Sequence, residues 1–134
     1  MIEKYARERA STLLRRLAFR MNRAAKLHDP DSIHDLRVAI RRFEQCLRVF
    51  GQFFSSGHRK KIHRRLRKIM KLSGQVRNLD IALTLLKKAG VPAASALPAR
   101  LRQQRKQAQV ELLAVFDGWS RHGQSRKWGA RLGL

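Results

Sequence analysis

From Ser32 to Phe50 the chain carries two stripes at once. Read as a helix at about 100° per residue, Ile33, Leu36, Ile40, Phe43, Leu47 and Phe50 recur in alternating steps of three and four, the heptad rhythm of a bundle seam. His34, Arg37, Arg41 and Arg48 keep a similar rhythm, turned about 130° from that seam, and span roughly 21 Å of axis at the ~1.5 Å rise per residue. One face is built for burial and another for anions.

The same periodicity predicts three more helices. Residues 2–27 put Ile2, Ala6, Ala10, Leu13, Leu17, Met21 and Ala24 on an inner line, with Arg7, Arg9, Arg15, Arg16, Arg20 and Arg23 mostly off it. His28-Asp29-Pro30-Asp31 breaks this helix, because proline disfavours helical geometry in the residue before it. Ser32 is the expected N-cap of the second helix, with Asp35 completing a capping box. Asp29, Asp31 and Asp35 gather negative charge at the positive end of the helix dipole, and Gly51 is the expected stop.

The third helix is expected from His58 to Ala89, closed by Gly90 and Pro92. Its inner line is Ile62, Leu66, Ile69, Val76, Leu83 and Leu86, interrupted by Ser73 and Asp80. Gly74 costs such a helix about 1 kcal/mol of propensity, so a close helix approach or a kink is expected there. Lys60, Arg64, Arg67 and Lys71 form a second basic stripe, continued by Gln75 and Asn78.

Val91 to Leu97 reads as a linker, and Pro98 suits the first turn of a fourth helix. That helix keeps Leu101, Ala108, Leu112, Val115 and Trp119 inside and Arg102, Arg105 and Lys106 outside. Residues 121–134, with four glycine or serine breaks and four cations, read as a basic, flexible C-terminal tail. No strand pattern occurs, and short connections between helices imply antiparallel neighbours. The expected fold is all-α, an antiparallel four-helix bundle of long helices over residues 1–120.

Charge sharpens this picture. The 134 residues suffice for one domain with one core, yet they hold 31 Lys and Arg against 9 Asp and Glu, a formal net charge of +22. Such a body repels itself and expects a polyanion: nucleic acid, inorganic polyphosphate, anionic lipid or an acidic protein. The one cysteine, Cys46, excludes an intramolecular disulfide and reads as a small, partly buried hydrophobe. The N-terminus lacks the apolar run of a signal peptide and no stretch approaches a membrane span, so a cytoplasmic protein without membrane association is expected.

Two motifs are specific. His34-Asp-Leu-Arg37-Val-Ala-Ile-Arg41-Arg42-Phe, running on to Leu47-Arg48-Val-Phe50, is followed by Leu72-Ser-Gly74-Gln-Val-Arg77-Asn78-Leu79-Asp80. Together, in this order and both on helices, they resemble the conserved histidine α-helical (CHAD) domain family, over roughly residues 1–120. The resemblance implies a helical, non-catalytic module that binds inorganic polyphosphate through basic helix faces lining a cleft or pore. Position by position it implies His34, Arg37, Arg41, Arg42 and Arg48 from the first motif, and Arg67, Lys71 and Arg77 from the second, as polyphosphate-binding residues. The basic stripe adds Arg64.

The sequence departs from the family pattern in three places. The usual domain holds two related bundles, and this chain resembles the N-terminal half. A homodimer completing the two-bundle domain is therefore expected, in the cytoplasm and associated with polyphosphate granules. Asn78 stands where the family usually has aspartate, and Ser73 where an apolar residue is usual.

The chemistry of the residues agrees with a binding role. The guanidinium fork suits phosphate oxygens, and Glu44 is the only acid along the first stripe after the capping turn. Arg42 lies nearer the opposite side, where a structural ion pair competes with ligand contact. His34 is expected to meet an anion or to orient Arg37 or Arg41. Asp80 falls on a buried line where a lone carboxylate is costly, so it reads as a structural ion pair pinning a motif arginine of the second helix. No HxxxH pair, nucleophile–base pattern or glycine-rich phosphate cradle is present, so neither catalytic residues, nor a metal, nor a cofactor is expected. A helical RNA- or DNA-binding protein is the alternative reading.

Overall fold

Four long helices carry the fold, and a fifth short one closes its end. The computed structural model describes residues 1–134: α1 (Ile2–Leu27), α2 (Pro30–Val49), a single 3-10 turn (Gly51–Phe53), α3 (Ser56–Lys88), α4 (Ala96–Arg121) and α5 (Gln124–Leu132). There are no strands. The helix pairs α1–α2 and α3–α4 make the two most extensive packings, α2 meets α3, and α1 meets α4, which closes a four-helix ring.

The α1–α2 corner differs in detail from the capping-box expectation. His28 ends α1 in a left-handed conformation at φ 56°, its N–H reaching the Ala24 carbonyl. Asp29, not Ser32, is the N-cap of α2, and its Oδ1 accepts the Ser32 N–H at 2.8 Å. The reason is Pro30: its fixed φ and missing N–H suit the first helical position, so the helix starts three residues earlier than expected. Hydrogen bonding from Ser32 holds the Asp29 carboxyl below its ordinary pKa. Asp35 is released from capping and pairs with Arg20 of α1 at 3.4 Å.

The seam of α2 packs as its periodicity demands. Ile33, Leu36, Ile40, Phe43 and Leu47 are buried, and Phe50 is half-buried beside them. On α1 the inner line from Ala6 to Ala24 is buried, whereas Ile2 is exposed at the frayed first turn. Ile62, Leu66, Ile69 and Val76 of α3 reach the same core, with Leu83 and Leu86 only half-buried as the helix runs past it. On α4 the buried line is Leu112, Phe116 and Trp119, while Leu101, Ala108 and Val115 are half-buried. The Cys46 thiol is buried and its pKa is pushed up by that burial.

Residues 121–134 depart most from the loose tail that glycine and charge suggest. They form α5, whose Trp128 is 1% exposed. Its indole stacks parallel to Phe43 at 6.4 Å and meets Trp119 edge-on at 4.8 Å. The end of this helix is held from outside: the Arg7 guanidinium donates to the Leu132 carbonyl at 2.7 Å and to the Phe53 carbonyl at 3.1 Å. Two large aromatic surfaces removed from water outweigh the weak propensity of a nine-residue segment.

Candidate functional site

Arg37 is the joint between the two motifs. It leaves α2 and crosses to α3, where its Nη1 donates to the Met70 carbonyl at 2.6 Å and to Ser73 Oγ at 2.9 Å. Gly74 makes the crossing feasible, because a Cβ there would lie 3.0 Å from Arg37 Nη1. The helix continues through Gly74 unbroken; the position serves the close approach of a side chain rather than of a helix or a kink. Ser73 sits on the buried line because its hydroxyl receives this guanidinium.

Like charges crowd the same place. Burial first, then the charges of Arg41 and Arg77, push the Arg37 pKa below its ordinary value. No carboxylate pairs with any of the three. Nε and Nη2 of Arg37 make no hydrogen bond within the chain, so two faces of the fork stay free for an anion.

Along α2 and α3 the surface opens into a groove of about 480 Å³ lined by Arg41, Arg48, Arg59, Lys60 and His63, with Glu44 and Gln45 between them. The Glu44 carboxylate has one side-chain partner, His63, whose Nδ1 lies 3.1 Å from it. Arg48 leans on the Gln45 side-chain carbonyl at 3.0 Å. Arg59 folds against Gly51 and donates to the Phe54 carbonyl at 3.4 Å. Its place, and that of His63, is missed by the sequence reading, although i, i+4 spacing of Arg59, His63 and Arg67 puts the three on one face.

The nine expected binding residues do not share one trough. Arg37, Arg41, Arg48 and Arg77 gather on the α2–α3 side. Arg64, Arg67 and Lys71 are exposed on α3 outside the lining of that groove. His34 and Arg42 face the other way, into a wider groove of about 750 Å³ between α1 and α2 that also holds Arg15, Arg16 and Arg20. His34 makes no hydrogen bond to Arg37 or Arg41, and Arg42 forms no ion pair. The rotation of α2 decides this: its seam turns inward, and positions on opposite sides of the polar face look at different neighbours.

Asp80 pairs with a different arginine from the one expected. Its partner is Arg105 of α4, at 2.5 Å from Nε, and Arg105 also donates to the His28 carbonyl at 2.9 Å and to Gln109 at 2.6 Å. Arg105, placed outside by the periodicity, thus ties α4 to α3 and to the α1–α2 corner. Elsewhere the acids pair at Lys4–Glu8, Arg7–Glu3, Arg20–Asp35, His63–Glu44 and Arg121–Asp117, so none of the nine expected binding residues is neutralised by a carboxylate. No three His, Cys, Asp or Glu side chains converge into a metal-binding group, and no helix is long and apolar enough to cross a membrane.

A family model described as "CHAD domain" matches residues 6–132. No curated protein and no solved structure matches the chain at a significant level.

Proposed function

The chain belongs to the CHAD domain family, a family associated with polyphosphate, and on that premise we propose that it binds inorganic polyphosphate without catalysis, in the basic groove between α2 and α3. The observation that carries this reading is the cluster of Arg37, Arg41 and Arg77, like charges held together with no carboxylate between them. Mutual repulsion of that kind is relieved by an anion with closely spaced charges. Arg48, Arg59 and Lys60 extend the line along which further phosphoryl groups are held. Arg37 is both strut and ligand in this account, its Nη1 given to α3 and the rest of its fork to phosphate.

The groove contains no Phe, Tyr or Trp ring, so a nucleic acid lying there finds no surface on which to stack its bases. Competition at equal phosphate concentration tests the reading. Polyphosphate is expected to hold the protein against duplex DNA and single-stranded RNA, and the paired reversal Arg41→Glu with Arg48→Glu is expected to abolish its binding. Displacement by either nucleic acid overturns the assignment. In the same reading the protein works in the cytoplasm, beside polyphosphate granules, and a two-fold homodimer sets two copies of the groove face to face. Light scattering with and without long-chain polyphosphate tests the dimer, and a strict monomer in both removes it.

A further inference from the structure

The groove between α1 and α2 is the larger of the two and has a different chemistry. Arg15, Arg16, Arg20, His34 and Arg42 line it against one acid, Asp35, which is already paired with Arg20. On its wall stands Phe19, 55% exposed, an aromatic ring on a surface otherwise dominated by cations. The Arg20 and Arg23 guanidiniums lie 5.4 and 5.8 Å from the centre of that ring. Arg16 and Arg23 bracket Phe19 about one helical turn below and above it, roughly 5 Å along the axis on each side.

Phosphate alone gives Phe19 no role. An exposed phenyl ring gains by stacking on another planar surface, and arginines beside it meet the charged backbone that carries such a surface. We propose that the α1–α2 groove is a second polyanion site, whose ligand is single-stranded nucleic acid. One base stacks on Phe19, and the flanking phosphates are held by Arg16 and Arg23, with Arg15 beside them on α1 and Arg42 of α2 across the groove. A membrane surface fits this wall less well. Phe19 is the single large apolar side chain exposed at it, and the groove is concave, whereas interfacial helices present a continuous apolar face.

Fluorescence anisotropy with a labelled short oligouridine, run beside polyphosphate of equal phosphate content, tests the assignment. Phe19→Ala is expected to weaken oligouridine binding roughly tenfold, the scale of one base–aromatic stack, and Phe19→Trp to restore it. Polyphosphate binding in the α2–α3 groove is expected to be unchanged by either substitution. Arg41→Glu with Arg48→Glu is expected to do the reverse, which keeps the two sites separable. The helical signal of Phe19→Ala reports that the exposed side chain was removed without unfolding. The proposal is overturned if oligouridine binding is indifferent to Phe19, if polyphosphate binding falls equally, or if Phe19→Ala instead removes binding to phosphatidylglycerol vesicles while oligouridine is unaffected. Failure of polyphosphate to bind at all leaves this result standing, because the Phe19 comparison is read on oligouridine alone.

Discussion

The guanidinium of Arg37 occupies the space that a side chain at Gly74 would fill, with Nη1 3.0 Å from the position of the missing Cβ. It is fixed there by the Met70 carbonyl and Ser73 Oγ. A methyl group at position 74 therefore competes with two charge-assisted hydrogen bonds. Gly74→Ala is expected to destabilise the protein by about 1 kcal/mol, the loss of those bonds outweighing the gain in helix propensity. In an Arg37→Ala background the same substitution is expected to stabilise by up to ~1 kcal/mol, since only propensity remains. A thermal or urea double-mutant cycle reads this coupling directly, and additive effects would remove the steric account.

Arg37 and Arg41 are expected to separate stability from binding. Arg41 is exposed and unpaired, so Arg41→Ala should leave the melting temperature nearly unchanged while weakening polyphosphate binding. Arg37→Ala should weaken binding and also cost roughly 1–3 kcal/mol, because the Met70 carbonyl and Ser73 lose a charged donor. Titration with polyphosphate and a denaturant curve on each variant check both halves.

The Asp80–Arg105 pair predicts a steep one-sided penalty. Their side chains are 9% and 17% exposed, so Asp80→Ala strands a guanidinium with little access to water and is expected to cost about 3 kcal/mol or more. Replacing both residues by leucine or methionine should recover much of that loss. Urea midpoints for the single and double variants decide it, and a single variant within experimental error of the parent would contradict the packing described.

Trp128 gives the corresponding test for α5. Trp128→Ala opens a cavity against Phe43 and Trp119 and is expected to cost about 3–5 kcal/mol. Removal of residues after Arg121 should be at least as harmful. Unchanged melting after either alteration would restore the loose tail that the composition suggests.

Cys46 is expected to be chemically silent in the native protein. Its burial raises the thiol pKa, so the reactive thiolate is scarce at neutral pH and the sulfur is covered. The sign follows from that shift: the folded state favours the neutral thiol, so this contribution to stability is present below the unfolded pKa and is lost as pH rises through the folded one. Alkylation by iodoacetamide should be slow in buffer and rapid in denaturant, with mass spectrometry as the readout.

How far the site was legible differs residue by residue. The arginine line Arg37–Arg41–Arg48 was readable because positions on one helix are fixed in angle by covalent spacing. Gly74 and Ser73 stood out as breaks in a helical pattern, yet their reason lies in a side chain 37 and 36 positions away from them, counted back to Arg37. Arg105 looked like a solvated cation because its own helix gives no hint of Asp80 or the His28 carbonyl. Trp128 fell in the segment that reads as a loose tail for the same reason: its partners, Phe43 and Trp119, belong to other elements.

Sequence alone determined that the chain is helical, where its four long helices break to within a few residues, which stripe of each of them is apolar, and that the whole carries a large positive charge. These are local or additive properties, set by the 3.6-residue repeat, the turn chemistry and the count of ionisable groups. Only the tertiary structure decided which neighbour each polar face meets, turning His34 and Arg42 toward α1 and Arg37, Arg41 and Arg48 toward α3. The physical reason is that a helix's rotation and partner are chosen by the packing of the whole core, to which every element contributes and which no single stretch of sequence contains.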